Sequence, residues 1–369
     1  MESWVSAYVQ SLLKEIQQVA GSAGQRLPVH TVFLGGGTPS LLPLAEIERI
    51  LATLEKMFDL QVEAELTLEA NPGTVTPDYL RGLHSLGINR LSFGMQSAQP
   101  EELRLLGRLH GHLEVIEAVK WARQAGFENV SIDLIYGLPG QTLESWQWTV
   151  ERALELRPEH LSLYALTVEE GTPLYDWISH GLVSSPEDDL AATQYEWASQ
   201  RLEEAGFTCY EISNFARRVK HDQLLACRHN LQYWINAPYL GFGAGAHGYI
   251  AGNRLANVSD LMEYIRRCQN GQSTNFPTGP ATAQVISIDQ RMEMQETMMV
   301  RLRLTQEGVS RSTFQTRFGI GLEDVFGEEI LYLLKVDLLE WGGEARDHLR
   351  LTRRGRLLGN QVFMRFVGD

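Results

Sequence analysis

Apolar residues recur at three- and four-residue spacing through Tyr8, Val9, Leu12, Leu13, Ile16 and Val19, which predicts an amphipathic helix closing near Gly21. No strand precedes it. The period then shortens: Val32, Phe33 and Leu34 form a β-type run, and Gly35, Gly36 and Gly37 allow a close backbone turn. Pro39 starts a second helix over Leu41–Phe58, with Ile47, Ile50, Leu51, Leu54 and Phe58 inward. The alternation continues with predicted strands Ala64–Glu69, Arg90–Met95, Asn129–Tyr136 and His160–Leu166, separated by helices at Pro77–Leu86, through Gln124 and over Leu143–Leu156. Strands and helices repeating at about 30-residue spacing are βα units, which build parallel sheets with right-handed crossovers. The predicted architecture is α/β, a partial barrel.

Polar residues gather at the C-terminal halves of these strands: Glu69 before Asn71-Pro72-Gly73, Gln96 after Gly94, Asp133, and Tyr164. That end of a parallel α/β barrel holds the active site. Ser131, Asp133 and Ile135 share a face, so an inward Asp133 is expected to stand above an otherwise apolar interior, where an unpaired carboxylate is costly. The competing reading is a loop cap or an arginine partner. Polar strand ends in successive units favour a site. The amides of the Gly35–Gly37 turn, beside a helix start, suit a carboxylate or phosphate, although such a turn is also ordinary tight-loop chemistry.

From Pro186 the rhythm changes. A helix around Ala191–Ala205 leads to Y-E-I-S-N-F-A at Tyr210–Ala216 and then to Arg217, Arg218, Lys220, His221, Arg228 and His229. A solvated loop explains a charge run of this kind when taken alone. Here it runs into H-N-L-Q-Y-W, residues His229 to Trp234, and into a glycine-rich stretch from Gly241 to Tyr249 containing His247. Cations, imidazoles, large aromatics and close backbone together suit a flat, apolar, dianionic macrocycle such as haem. His229 or His247 offers an axial nitrogen, Cys227 a sulfur, and Arg217, Arg218 or Arg228 a propionate partner. From Asp260 the chain reads as helical, with a short strand at Leu349–Leu351 and a winged-helix flavour. Its Met292, Met294, Met298 and Met299 fit helix packing better than a metal site.

A formal charge of −14 argues against nucleic acid or an anionic membrane as a general partner. Three cysteines, Cys209, Cys227 and Cys268, are too widely spaced for a compact metal motif, which fits a reducing compartment. No apolar run reaches the roughly 18 residues of a membrane span, and a cytoplasmic protein is expected.

The ordered set GGGTPS, LEANPG, SFGMQS, RLH at Arg108–His110, IDLIYGLPGQT, LYALTVEEGTPL, YEISNFA and HNLQYW resembles radical S-adenosylmethionine proteins of the HemW haem-chaperone type. These are relatives of oxygen-independent coproporphyrinogen III oxidase. The likeness implies a partial TIM-type (βα)6 barrel lacking its first strand over residues 1–185, and a smaller α+β domain with the HNxxYW element over residues 186–369. It implies S-adenosylmethionine against Gly36, Gly37, Thr38, Glu69, Gln96, Arg108, Asp133 and Ala165. It also implies haem against His229, Asn230, Tyr233 and Trp234, with His229 as candidate iron ligand and client haem proteins such as respiratory-chain components as partners. The chemistry agrees: Arg108 suits a carboxylate, Glu69 or Asp133 ribose hydroxyls, and the Ile135 face an adenine. An alternative role is a coproporphyrinogen-oxidising radical enzyme, an activity expected only with the cluster segment restored. The family's [4Fe-4S] cluster sits on a CxxxCxxC loop after the first strand, and neither loop nor strand is found here. Either the sequence starts at an internal methionine or the line has lost the cluster. An uncovered edge at Val29–Leu34 and a first helix facing a gap favour the former.

Overall fold

The computed structural model describes residues 2–219, 223–271 and 275–367, so Lys220 and His221 of the basic stretch lie outside the described residues. Seven strands form one sheet: β1 (Pro28–Leu34), β2 (Asp59–Ala70), β3 (Arg90–Gln96), β4 (Asn129–Tyr136), β5 (His160–Ala165), β6 (Phe207–Glu211) and β7 (Asn214–Arg217). Their order is β1-β2-β3-β4-β5-β7-β6. β2 through β5 are parallel neighbours, and the sheet curls as an open half-barrel. The last two strands are antiparallel additions: β6 and β7 form a hairpin whose β7 pairs with β5. The Y-E-I-S-N-F-A stretch therefore belongs to the sheet, which was not expected from its sequence.

The chain divides into two compact units. The strand-rich unit comprises Phe33–Leu41 and Leu66–Cys227; the composite unit comprises Met1–Val32, Leu42–Glu65 and Arg228–Asp369. Residues 186–227, grouped with the C-terminal part by their sequence rhythm, thus share a unit with β3 to β5.

In the strand-rich unit the period-2 alternation of each strand sorts its side chains onto two faces. Leu91, Phe93 and Met95, Val130, Ile132 and Leu134, and Leu161 and Leu163 are buried. They back onto helices that include His112–Ala125, Leu143–Glu155 and Asp188–Glu204, with Trp146 sealed in the core. The opposite face is polar in successive rows. Thr67, Arg90 and Asn129 are register partners, followed by Glu69, Ser92, Ser131 and His160, and then by Gly94, Asp133 and Ser162. The expectation of an apolar interior below Asp133 is therefore wrong. Hydroxyls, an imidazole and a guanidinium fill it, and in the rows nearest the mouth burial is tolerable because Ser92, Ser131, Ser162 and His160 bond to Asp133 or to one another.

In the composite unit, helix Glu2–Ser22 does not face a gap. It packs on Leu44–Met57 and on Leu261–Asn270, burying Val9, Ile16 and Val19. Glu15 lies on the same buried stripe and is 1% exposed. Its carboxylate accepts from the Gly243 amide at 2.9 Å, Asn257 Nδ2 at 2.6 Å and the Tyr264 hydroxyl at 2.6 Å. Three antiparallel strands, β8 (His247–Ile250), β9 (Asn253–Asn257) and β10 (Thr282–Ser287), form a second sheet, the last of them within the region from Asp260 that reads as helical. A third sheet joins β11 (Val309–Ser310), β12 (Leu339–Gly342) and β13 (His348–Leu351) to helices Arg311–Phe318 and Leu322–Lys335, an arrangement of winged-helix type. Met294 and Met298 are buried in helix Gln290–Arg301, as packing residues.

Candidate functional site

The C-terminal mouth of the half-barrel is built from the turns that follow β1 to β5. After β1, Gly36 and Gly37 adopt left-handed φ of +79° and +66°, and nothing lies within 4 Å of where a Cβ would project from either. The turn is exposed, so its backbone is open to a ligand. The Gly36 amide donates to Glu69 Oε2 at 3.1 Å, which ties the turn to the end of β2.

At the end of β3 the register with β4 slips between Gly94 and Gln96, and Gln96 sits at φ +65°. A bulge there re-aims the last side chain of the strand, a device common beside active sites. Gln96 is buried, with its amide nitrogen only 2.7 Å from where a Gly94 Cβ would stand. Beyond the bulge, the His110 ring lies 3.4 Å from the Met95 carbonyl, and Arg108 is within electrostatic range of that ring. Among the described residues the Arg108 guanidinium forms no ion pair.

Asp133 occupies the third polar row on β4. Ser92 Oγ donates to its two oxygens at 3.0 and 2.9 Å, and Ser131 Oγ reaches Oδ1 at 3.4 Å. Burial pushes the Asp133 carboxyl up, opposed by the Ser162, Ser92 and Ser131 hydroxyls and by Arg90. The Glu69 carboxyl is also raised, first by burial and then by the charge of Asp133, while Gly36 and Arg90 pull it down. Two electrostatically coupled carboxylates at one mouth favour a cationic ligand. Ala165 is exposed at the end of β5 and pairs with Tyr136 of β4; Thr38 is half-buried beyond the glycine turn.

In the composite unit, His229, Asn230, Tyr233 and Trp234 lie on the short helix Arg228–Trp234. Glu65 caps that helix, accepting from the Arg228 and His229 amides at 3.1 and 3.0 Å. Both His229 ring nitrogens are engaged, Nδ1 with Thr31 Oγ1 and Nε2 with the Tyr233 hydroxyl, each at 2.9 Å. Ligation of iron by His229 therefore requires exchange of one of these bonds. His247 is exposed in β8, whereas Cys227 is fully buried in the strand-rich unit. The Tyr233 ring meets Tyr239 edge-on, and the Arg303 guanidinium lies over Trp234 at 4.4 Å. Asn230 is half-buried on the same helix.

The Radical SAM superfamily model matches residues 6–153, and the HemN C-terminal domain model matches residues 288–358. The chain is 34% identical to heme chaperone HemW of Lactococcus lactis over 99% of this chain and 90% of that protein. It is 35% identical to heme chaperone HemW of Bacillus subtilis over 99% of this chain and 92% of that one. The chain belongs to the HemW family of radical S-adenosylmethionine proteins. The HemW protein of Escherichia coli is 33% identical over 98% of this chain and 90% of its own. The solved coproporphyrinogen III oxidase (HemN) from Escherichia coli has the same fold, with a TM-score of 0.81 at 24% identity, covering 98% of this chain and 83% of that one.

For this HemW-family chain, membership implies S-adenosylmethionine and an iron–sulfur cluster. The mouth suits the nucleoside: an open glycine turn, two acidic side chains for a sulfonium ligand and hydroxyls behind them. Among the described residues the cluster has no comparable seat. Cys209, Cys227 and Cys268 are all buried, and no group of three or more His, Cys, Asp or Glu among the described residues is placed to hold a metal ion. Among the described residues no helix is long and apolar enough to cross a membrane.

Sequence reading placed Ser131 on the face of Asp133 but missed the rest of the polar rows beneath the mouth, Arg90, Ser92, Ser162 and His160. The signal was present. R-L-S-F-G-M-Q, N-V-S-I-D-L and H-L-S-L-Y alternate strictly polar and apolar, and strands of a parallel sheet apolar on both faces do not.

Proposed function

We propose that this chain is a haem chaperone, binding haem and S-adenosylmethionine and passing the haem to client haem proteins, respiratory-chain components among them, in the cytoplasm. The observation that carries the reading is the end-to-end likeness to proteins named heme chaperone HemW. When bound, S-adenosylmethionine supplies a sulfonium cation. Glu69 and Asp133 counter that charge and accept from its hydroxyls, while the amides of Gly36 and Gly37 with Thr38 receive its polar end. Arg108, without an ion pair of its own among the described residues, takes the carboxylate, and Gln96 and Ala165 bound the cavity. Haem is held at His229, Asn230, Tyr233 and Trp234, the rings supplying apolar area and His229 a nitrogen for the iron once its bond to Tyr233 opens.

Titrating hemin into the protein is expected to shift the Soret band with saturation near one equivalent. His229→Ala is expected to weaken binding at least about tenfold, equivalent to about 1.4 kcal/mol. An unshifted Soret band in the parent sinks the chaperone reading. Equal affinity in His229→Ala with loss in His247→Ala moves the iron ligand to β8.

A further inference from the structure

Below Asp133 a chain of hydrogen bonds runs through the buried interior of the strand-rich unit. Ser131 Oγ lies 2.8 Å from His160 Nδ1, His160 Nε2 lies 2.9 Å from the Tyr210 hydroxyl, and that hydroxyl accepts from the Cys227 amide at 3.3 Å. Ser131, His160 and Cys227 are 0% exposed, so these bonds have no competition from solvent.

The direction of every proton in this chain follows from its far end. A backbone N–H can only donate, so the Tyr210 oxygen accepts from Cys227, and because His160 Nε2 is the one acceptor within hydrogen-bond reach of this buried hydroxyl among the described residues, its O–H points there. His160 Nε2 is then the acceptor, which puts the ring proton on Nδ1 and aims it at Ser131 Oγ. Ser131, having accepted, has its hydroxyl proton left for Asp133 Oδ1. The imidazole is neutral, since burial and the nearby Arg90 hold its titration well below the usual histidine range. A protonated His160 would donate from both nitrogens and break the order at Tyr210.

We propose that Tyr210, His160 and Ser131 form a one-way hydrogen-bond relay that positions the Asp133 carboxylate as an acceptor for a bound sulfonium nucleoside. The inference rests on the nucleoside reading of the mouth and deepens it. Tyr210 and His160 are positioning residues, acting through Ser131. The charged and titratable groups that act on Asp133 from the surrounding strands are Glu69 on β2, Arg90 on β3 and Tyr164 on β5, while His160 on β5 and Tyr210 on β6 reach it through Ser131. Loss of the relay removes one donor that opposes the raised carboxyl, so Asp133 protonates at higher pH. Binding that needs the carboxylate then fails at higher pH as well.

The experiment is calorimetric titration of S-adenosylmethionine between pH 5.5 and 9 with the parent chain, Tyr210→Phe and Ser131→Ala, each checked for native near-ultraviolet dichroism. The expected result is an acid-side midpoint moved upward by about one pH unit in both variants, about tenfold weaker binding below it, and parental affinity at the alkaline limit. Nitrogen-15 spectra of the ligand-free parent, with His160 assigned by His160→Gln, are expected to show the Nδ1-protonated tautomer, and a mixed population in Tyr210→Phe. An unchanged profile, an even loss of affinity at all pH values, or an Nε2-protonated His160 in the parent overturns the relay alone. No binding by the parent at any pH removes the nucleoside site and this inference with it.

Discussion

Glu15→Ala is expected to lower the unfolding free energy of the composite unit by about 3–5 kcal/mol, because it leaves several buried donors without an acceptor. The carboxylate takes hydrogen bonds from Gly243, Asn257 and Tyr264 within a closed environment, and alanine replaces none of them. The measurement is a urea titration, paired with hydrogen exchange at the Gly243 amide, which is expected to lose protection. Glu15→Gln separates charge from shape. Burial raises the Glu15 carboxyl above its unfolded value. A group raised on folding contributes stability that is complete below its unfolded value and is lost as pH rises through the folded one. Glu15 thus makes the parent less stable toward neutral pH, and Glu15→Gln is expected to remove that part of the slope while keeping an acceptor. If Glu15→Ala unfolds at the parent's urea midpoint, the clamp contributes nothing.

Arg90→Met is expected to cost about 3–5 kcal/mol of stability in the strand-rich unit, with the larger loss at alkaline pH. Arg90 is 2% exposed and lowers both the Glu69 and Asp133 carboxyls. Removing it leaves two half-buried carboxylates repelling one another, and both titrate higher. Their raised folded values add a stability loss that grows as pH rises through them. Urea midpoints at pH 6 and pH 8.5 give the test: the gap between parent and variant must widen at pH 8.5. A gap that narrows there shows that the guanidinium is not the counter-charge of the pair.

The βα order and the positions of β3, β4 and β5 are legible in the sequence because long alternating segments bounded by glycine and helix signals carry their own period. The glycine turn, Glu69, Gln96 and Asp133 were legible for the same reason, as polar residues at strand ends. The β6–β7 hairpin was not. Its strands are short and its pairing with β5 depends on tertiary contact rather than on local pattern. β10 was read as helical surroundings because T-A-Q-V-I-S carries no partner in sequence, and its pairing to β9 is set by distant residues. Glu15 hides inside a correctly read helix. It lies at helical spacing with Ser11 and Val19 on the inward stripe, and nothing nearby in sequence reveals the three donors that make an inward carboxylate tolerable. His229 was legible as a candidate, but its two hydrogen bonds come from Thr31 and Tyr233, and only the fold supplies the first.

The Glu15 clamp also sets an order on biosynthesis. Its partners lie 228, 242 and 249 residues further along the chain. At synthesis rates of about 5–20 residues per second, the first helix leaves the ribosome roughly ten to forty-five seconds before Gly243 emerges. Throughout that interval the first helix can dock on Leu44–Met57 but not on Leu261–Asn270, so the Glu15 carboxylate waits without its three donors. Until then the carboxylate keeps its water, and the final third of the polypeptide supplies the donors that let it be enclosed.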